Sequence, residues 1–301
     1  MLQVHREMEL RQPVLLCAFT GWSDAASGAS GVLNYLLMKW PGSELASFDP
    51  EVIYSYTITR PSVRLRGPGQ RELRWPALTW TALPLPHAAC DLVILLGPEP
   101  DLRWQGCAQA AVGLARRLGV ERAVGLGCFY ALVAHTAPVP LVGTSPDRAL
   151  RATLAQLGLG ETAYQGPTGF LTALLDALHR AGIASASIWG AAPSYLPGIP
   201  NPKVSAALLG AVERLLQVDL GRTELDIAAR DLERRIDEAL RERPDLRAFV
   251  ERLRAGQPGT SPAPAEPPSE AAPSEDLPSA DAVLKDLEEY LRRLRRSQED
   301  Q

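Results

Sequence analysis

Apolar residues along this chain fall into two rhythms that alternate. Val14 to Phe19 is an unbroken apolar run between Pro13 and Gly21, the pattern of a strand buried on both faces. Asp91 to Gly97 repeats it most clearly, and Arg122 to Phe129, Leu141 to Ser145 and Ile183 to Gly190 follow as further strands. Between them the apolar positions recur at helical spacing. Helices are predicted from Asp24 to Lys39, with Asp24 as N-cap, then over 102–118, Pro146 to Leu157, Thr168 to Ala181 and Pro202 to Gln217. Val52 to Arg60, Arg71 to Pro76 and Thr79 to Leu83 read as short strands, giving one antiparallel insertion at roughly 52–83. Buried strands alternating with helices predict an α/β fold.

Past residue 221 the rhythm changes. Leu225, Ala228, Ala229, Leu232, Ile236, Ala239 and Leu240 form one apolar stripe on a charged helix, which Pro244 ends. Leu246, Phe249, Val250 and Leu253 begin a shorter helix. Residues 256–280 hold seven prolines, no aromatic residue and four acidic groups, too little apolar surface to fold, so they read as a disordered linker. Beyond it Leu284, Leu287, Leu291 and Leu294 fall at 3-4-3 spacing, the seam of a short coiled coil. The expected organisation is a core domain over 1–221, a charged helical annex over 222–255, the linker over 256–280 and an amphipathic tail helix over 281–297. That tail would dock on a partner or zip with copies of itself.

Composition narrows the function. The 301 residues carry 31 Lys+Arg against 35 Asp+Glu, a net charge of -4, which leaves no basic field for a nucleic-acid backbone. The linker alone holds four acidic groups, and residues 1–221 carry only 17 basic and 16 acidic ones, a sparsely charged surface suited to meeting other protein. The charged N-terminus lacks a signal peptide's apolar stretch, and no apolar run reaches the ~18 residues of a membrane helix. Cys17, Cys90, Cys107 and Cys128 have no C-x-x-C or cysteine–histidine spacing. Buried free thiols in a cytoplasmic protein are expected, with no metal site and no cofactor.

Catalytic signatures are missing. There is no phosphate-binding P-loop and no G-x-S-x-G elbow, and Gly125-Leu126-Gly127 lacks the third glycine of a dinucleotide fingerprint. Gly28-Ala29-Ser30-Gly31 reads as a small-residue packing surface. The polar candidates sit where α/β sheets place ligands, at strand ends. Asp24 reads as a helix cap before a catalytic group, and Glu99 between two prolines as a fixed carboxylate or a surface turn. His135 beside Thr136 reads as a structural histidine or a general base, and Cys128 as a buried thiol. Thr168, in the loop Tyr164-Gln165-Gly166-Pro167-Thr168-Gly169, reads as a helix cap whose neighbouring amides could hold an anion.

Taken in order, several segments resemble the proteasome assembly chaperone 2 family in its bacterial branch. Gly21-Trp22-Ser23-Asp24-Ala25 is similar to the family's G-W-N-D-A, and Arg60-Pro61-Ser62-Val63 to its R-P-x-V. LLGPEPDLRW at 95–104, which holds Glu99 and Pro100, continues the series. So do YQGPTG at 164–169 (Gly166, Pro167, Thr168, Gly169) and SIWGAAPSYL at 187–196, which holds Tyr195. Asn201-Pro202-Lys203 and ELDIAARDLERRIDEAL at 224–240 complete it. The resemblance implies a three-layer α/β/α sandwich of the phosphorylase/hydrolase-like type with a C-terminal helical extension, assembled as a homo-oligomer. It also implies a non-enzymatic, assembly-chaperone-like role toward an unidentified protein client. The alternative is an enzyme or small-ligand binder using a pocket near Asp24, Glu99, His135 and Thr168. Where the family commonly has P-H-T-R-P and P-H-Y, this chain has Ala134-His135-Thr136-Ala137-Pro138 and Pro193-Ser194-Tyr195, so catalysis that relied on those residues would be weakened here. It ends Gln-Glu-Asp-Gln rather than in the hydrophobic-Tyr-X with which some relatives dock into the proteasome, so such docking is not expected.

Overall fold

The computed structural model describes residues 1–67 and 69–255. In chain order its elements begin with β1 (Leu2–Val4), β2 (Val14–Thr20), α1 (Gly28–Lys39), β3 (Ser43–Phe48), α2 (Pro50–Ile53), β4 (Ser62–Gly67), β5 (Gln70–Arg74) and β6 (Thr79–Leu83). They continue with β7 (Leu92–Pro98), α3 (Trp104–Arg117), β8 (Arg122–Ala131), β9 (Leu141–Thr144), α4 (Arg148–Gln156), α5 (Phe170–Arg180) and β10 (Ala184–Pro193). Three helices close the described chain: α6 (Pro202–Leu216), α7 (Thr223–Arg241) and α8 (Pro244–Ala255).

Eight strands form one sheet in the order β1-β3-β6-β7-β2-β8-β10-β9, and β4 and β5 pair by themselves. The four central strands β7, β2, β8 and β10 run parallel, and antiparallel strands flank them on both sides. In β2 the continuous apolar run serves both faces. Val14, Leu16 and Ala18 enter the core beneath α1 and α6, while Leu15, Cys17 and Phe19 enter the core beneath α3 and α5. Each such leucine leaving water contributes about 1.5–3 kcal/mol. The architecture is the expected three-layer α/β/α sandwich.

The small residues at the start of α1 work as packing. A Cβ at Gly31 would lie 2.5 Å from the Ser205 hydroxyl on α6, and one at Gly28 would lie 2.8 Å from Cys128 Sγ. The Ser205 hydroxyl donates instead to the Gly28 carbonyl at 2.8 Å. Gly125 and Gly127 lie inside β8, not at a phosphate-binding turn. Leu171 and Leu175 cover the first, and the Trp189 ring of the neighbouring strand lies over the second.

Two expectations need correction, and two strands were not expected at all. Val52 to Arg60 is not a strand. Asp49 caps α2, accepting from the Glu51 amide at 3.1 Å with Pro50 in the first turn. The Asp101 carboxylate then holds the following turns, accepting from the Ser55 amide at 2.8 Å and the Thr59 hydroxyl at 3.1 Å. These tertiary ties override the β-branched alternation. Secondly, β1 and β3 are strands that no strong run announces. Ser, Glu and Ala are poor strand formers, and β3 is selected by its pairing with β6 and β1. Lastly, the helix expected to start at Asp24 begins as a 3-10 turn over Ala25–Ser27, with Ala26 and Ser27 in the left-handed region, before α1 proper.

The α7 stripe buries Leu225, Ala229 and Ile236 on the core, leaving Ala228 exposed. Val250 of α8 is buried, and Phe249 meets the edge of the Tyr195 ring at 6.0 Å. The linker 256–280 and the tail leucines Leu284, Leu287, Leu291 and Leu294 lie outside the described residues.

Candidate functional site

The four parallel strands end together at Thr20, Pro98, Ala131 and Pro193, and the segments leaving them carry most of the polar candidates. A cavity of about 1340 Å³ opens beside the ends of β8, β10 and β9. Its walls come from the 21–27 turn, the 128–132 segment, the inward face of β10 and the loop 162–168.

Asp24 lines this cavity and is 8% exposed. Its Oδ1 accepts from the amides of Ala29 at 2.9 Å and Ser30 at 3.0 Å, capping α1 from beyond the 3-10 turn. Burial raises its pKa, and the Ser30 and Ala29 bonds oppose that rise. Its expected capping role is thus realised five and six residues downstream. The neighbouring thiol of Cys128 is pushed up by burial and then by the Asp24 charge, which keeps it a poor nucleophile.

Thr168 also lines the cavity but does not cap α5. The N-cap is Gly169, and the Phe170 amide donates to Glu99 Oε1, reaching across from the end of β7. A Cβ at 169 would lie 2.7 Å from that oxygen, so the absence of a side chain admits the carboxylate. Burial raises the pKa of Glu99, the Phe170 bond opposes this, and Asp101 adds to it. Glu99 is therefore a helix cap against Gly169 and is not among the residues that line the cavity.

His135 lies apart from the cavity, between the segment after β8 and α7. The Tyr195 hydroxyl accepts the His135 backbone N–H at 2.7 Å and donates to ring Nδ1 at 2.7 Å, which leaves Nε2–H to donate to Asp237 of α7 at 3.1 Å. Lys203 donates to the His135 carbonyl at 2.6 Å and also binds Glu233, while Arg254 donates to Thr136 at 2.8 Å. Desolvation lowers the His135 pKa, against the raising effect of Asp237, so the ring is neutral at neutral pH. The structure thus brings Asp24 and Thr168 to one cavity, sends Glu99 to the first amide of α5, and makes His135 a bolt for α7.

Of the other segments quoted for the family, Gly21 takes a positive φ of 125° to leave β2, and Trp22 stands 50% exposed at the cavity rim. Arg60 and Pro61 lead into β4. Pro100 is buried, with its carbonyl accepting from the Trp104 indole. Gly166 and Pro167 form the loop closed by the Tyr164 hydroxyl, which donates to the Pro167 carbonyl at 2.9 Å. Asp237, Glu233 and Lys203 were not legible as a cluster, because the pairing of α7 with the 131–136 loop spans about a hundred residues. Trp189 as a cavity wall follows only from its pairing opposite Gly127.

Among the described residues no group of three or more His, Cys, Asp or Glu could hold a metal ion, and no helix is long and apolar enough to cross a membrane. All four cysteines are free and buried.

The sequence pattern of the PAC2 family matches residues 18–240. Among solved structures, the chain is similar to a PAC2 family protein from Streptomyces avermitilis, with 36% identity over 75% of this chain and 95% of that one and a TM-score of 0.69. It is also similar to a proteasome-assembly chaperone homologue of Mycobacterium tuberculosis, with 34% identity over 79% of this chain and 99% of that one and a TM-score of 0.70. An archaeal proteasome activator of Pyrococcus furiosus, 16% identical over 79% of this chain and 98% of that one, shares the fold at a TM-score of 0.62. No curated protein matches the chain.

Proposed function

Since this chain belongs to the PAC2 family, we propose that it is a non-enzymatic, assembly-chaperone-like protein that binds polypeptide, beginning with copies of itself. The likeness to a proteasome-assembly chaperone homologue supports the reading, and the observation that carries it is the hairpin β4–β5. Val63 pairs with Leu73 and Leu65 with Arg71 across this two-stranded sheet. Side chains alternate along strands, so Val63, Leu65 and Leu73 share one face, and each is more than half exposed, while Trp75, just past β5, packs on the Tyr56 ring at 4.8 Å. An isolated two-stranded sheet is marginal in water, and an uncovered apolar face on one marks an interface.

A second copy suits this face. Arg64, Arg66 and Arg74 project from the opposite side, where Arg66 and Arg74 pair with Glu72. Two hairpins can meet apolar face to apolar face about a two-fold axis with these charges directed away, which is the self-complementarity an isologous contact requires. Arg71 stays at the rim near the hairpin tip.

The test is the molar mass of the full chain by light scattering, against the 32.5 kDa of one copy. A multimer is expected, and Leu65→Ser with Leu73→Ser should lower its mass without altering the circular dichroism. A full chain that stays monomeric at micromolar concentration, or a double variant of unchanged mass, overturns the hairpin contact. A 1–255 chain reports on the tail. Unchanged mass and unchanged partners in pull-downs would remove the leucine seam from the proposal.

A further inference from the structure

We infer that the cavity beside the ends of β8, β10 and β9 is a binding site for an uncharged small molecule that combines a flat or sugar-like ring with several hydroxyl groups. This inference is independent of the interaction role. At about 1340 Å³ the cavity exceeds the roughly 300–1,000 Å³ usual for small-ligand sites, so a disaccharide-sized or aryl-glycoside-sized molecule fits.

Charge defines what it admits. Among the described residues that line it there is no lysine, arginine or histidine. An anion at such a sheet edge would ordinarily be held by a helix N-terminus, but here the chain's own carboxylates fill that role. Asp24 takes the amides of α1, and Glu99 takes the Phe170 amide of α5. A phosphate or carboxylate would meet oxygen atoms of like charge. A cation would find two carboxylates on the wall, of which Asp176 is paired with Arg180 at 3.0 Å while Asp24 is 8% exposed and turns Oδ1 to the amides of α1.

What remains available is neutral. Thr144, Thr168, Thr172 and Ser187 present hydroxyls that hydrogen-bond to nothing within the described residues. Thr144 and Ser187 are cross-strand neighbours and so stand side by side on one face. Trp22, half exposed at the rim, supplies a ring face against which a sugar's C–H face or an aromatic ring stacks, and Trp189, whose ring lies over Gly127, contributes to the wall. Hydroxyls beside aromatic rings, with no lysine, arginine or histidine on the wall, fit a neutral polyhydroxylated ligand.

Ligand-observed NMR on the full chain tests this with four probes. Phenyl glucoside and phenyl galactoside are neutral, phenyl phosphate is anionic and phenethylamine is cationic. Saturable binding of a neutral probe in the millimolar range or tighter is expected, with the charged probes weaker. Thr172→Val and Trp22→Ala should each weaken it about three- to tenfold, one hydrogen bond or one stacking face at a time. Trp22 is half exposed, so its removal leaves the fold intact, as circular dichroism would verify. Thr168→Val is the second check on the hydroxyls. Equal or tighter binding of a charged probe, no saturable binding of either glycoside, or binding indifferent to all three variants overturns the inference.

Discussion

Two substitutions at Glu99 separate the hydrogen bond that its carboxylate makes from the charge that it carries. The side chain reaches from the end of β7 to the first amide of α5, and that helix sets Phe170, Leu171, Leu174 and Leu178 into the core. Glu99→Ala removes the acceptor and leaves the Phe170 N–H without its partner. Loss of a cap and of a partner for a half-buried amide together cost about 2 kcal/mol, or roughly 4–8 °C in Tm for a domain of this size. Glu99→Gln keeps an acceptor oxygen and deletes the charge. Burial holds the Glu99 pKa above the ordinary carboxylate value. Such a group favours folding below its unfolded pKa, and that contribution fades as the pH rises through the folded pKa. At pH 7 the charge is therefore a liability, and the glutamine variant should match or exceed the native chain. Its advantage should shrink as the pH falls through the raised Glu99 pKa and be gone below the ordinary glutamate value of about 4.3. Thermal melts of the three proteins between pH 4 and pH 7 measure this. Gly169→Ala should reproduce the alanine phenotype, since the new Cβ would sit 2.7 Å from the Glu99 oxygen. A glutamine variant as unstable as the alanine variant at pH 7 would refute the reasoning and assign the capping to charge.

Two further outcomes follow from buried groups. His135 is neutral, its pKa lowered by burial, and it faces Tyr195, Asp237, Glu233, Lys203 and Arg254. Its contribution is present above the ordinary histidine value of about 6.5 and is lost as the pH falls toward the lowered one. Amide exchange in α7 should therefore accelerate, relative to α3, on going from neutral to mildly acidic buffer. The same pH dependence in His135→Gln would exclude the histidine as its source. The thiols are also inert by burial, with Cys17 pushed up to about 12 and Cys107 to about 11. A thiol reagent such as dithionitrobenzoate should label none of the four cysteines quickly in the native chain and all four in denaturant. Fast native labelling of Cys128 would refute its burial against α1.

The linear pattern determined the layers. A strand buried on both faces needs apolar residues at every position, so Val14 to Phe19 and Asp91 to Gly97 announce themselves, and a helix with one buried stripe does so as well. Small residues at the start of α1 likewise reported close packing, because a Cβ there would strike Ser205 or Cys128. Tertiary contacts decided whatever depends on which segments meet. β3 is a strand because β1 and β6 flank it, and 54–60 is irregular because Asp101, some forty residues on, binds the Ser55 amide and the Thr59 hydroxyl. The polar candidates divide for the same reason. Sequence placed Asp24, Glu99, His135 and Thr168 at strand ends but carried no information on direction. Only the packed chain sends Glu99 to the amide of α5, His135 to Asp237 and Thr168 to the cavity, since a side chain's partner is fixed by three-dimensional proximity and not by its own residue type.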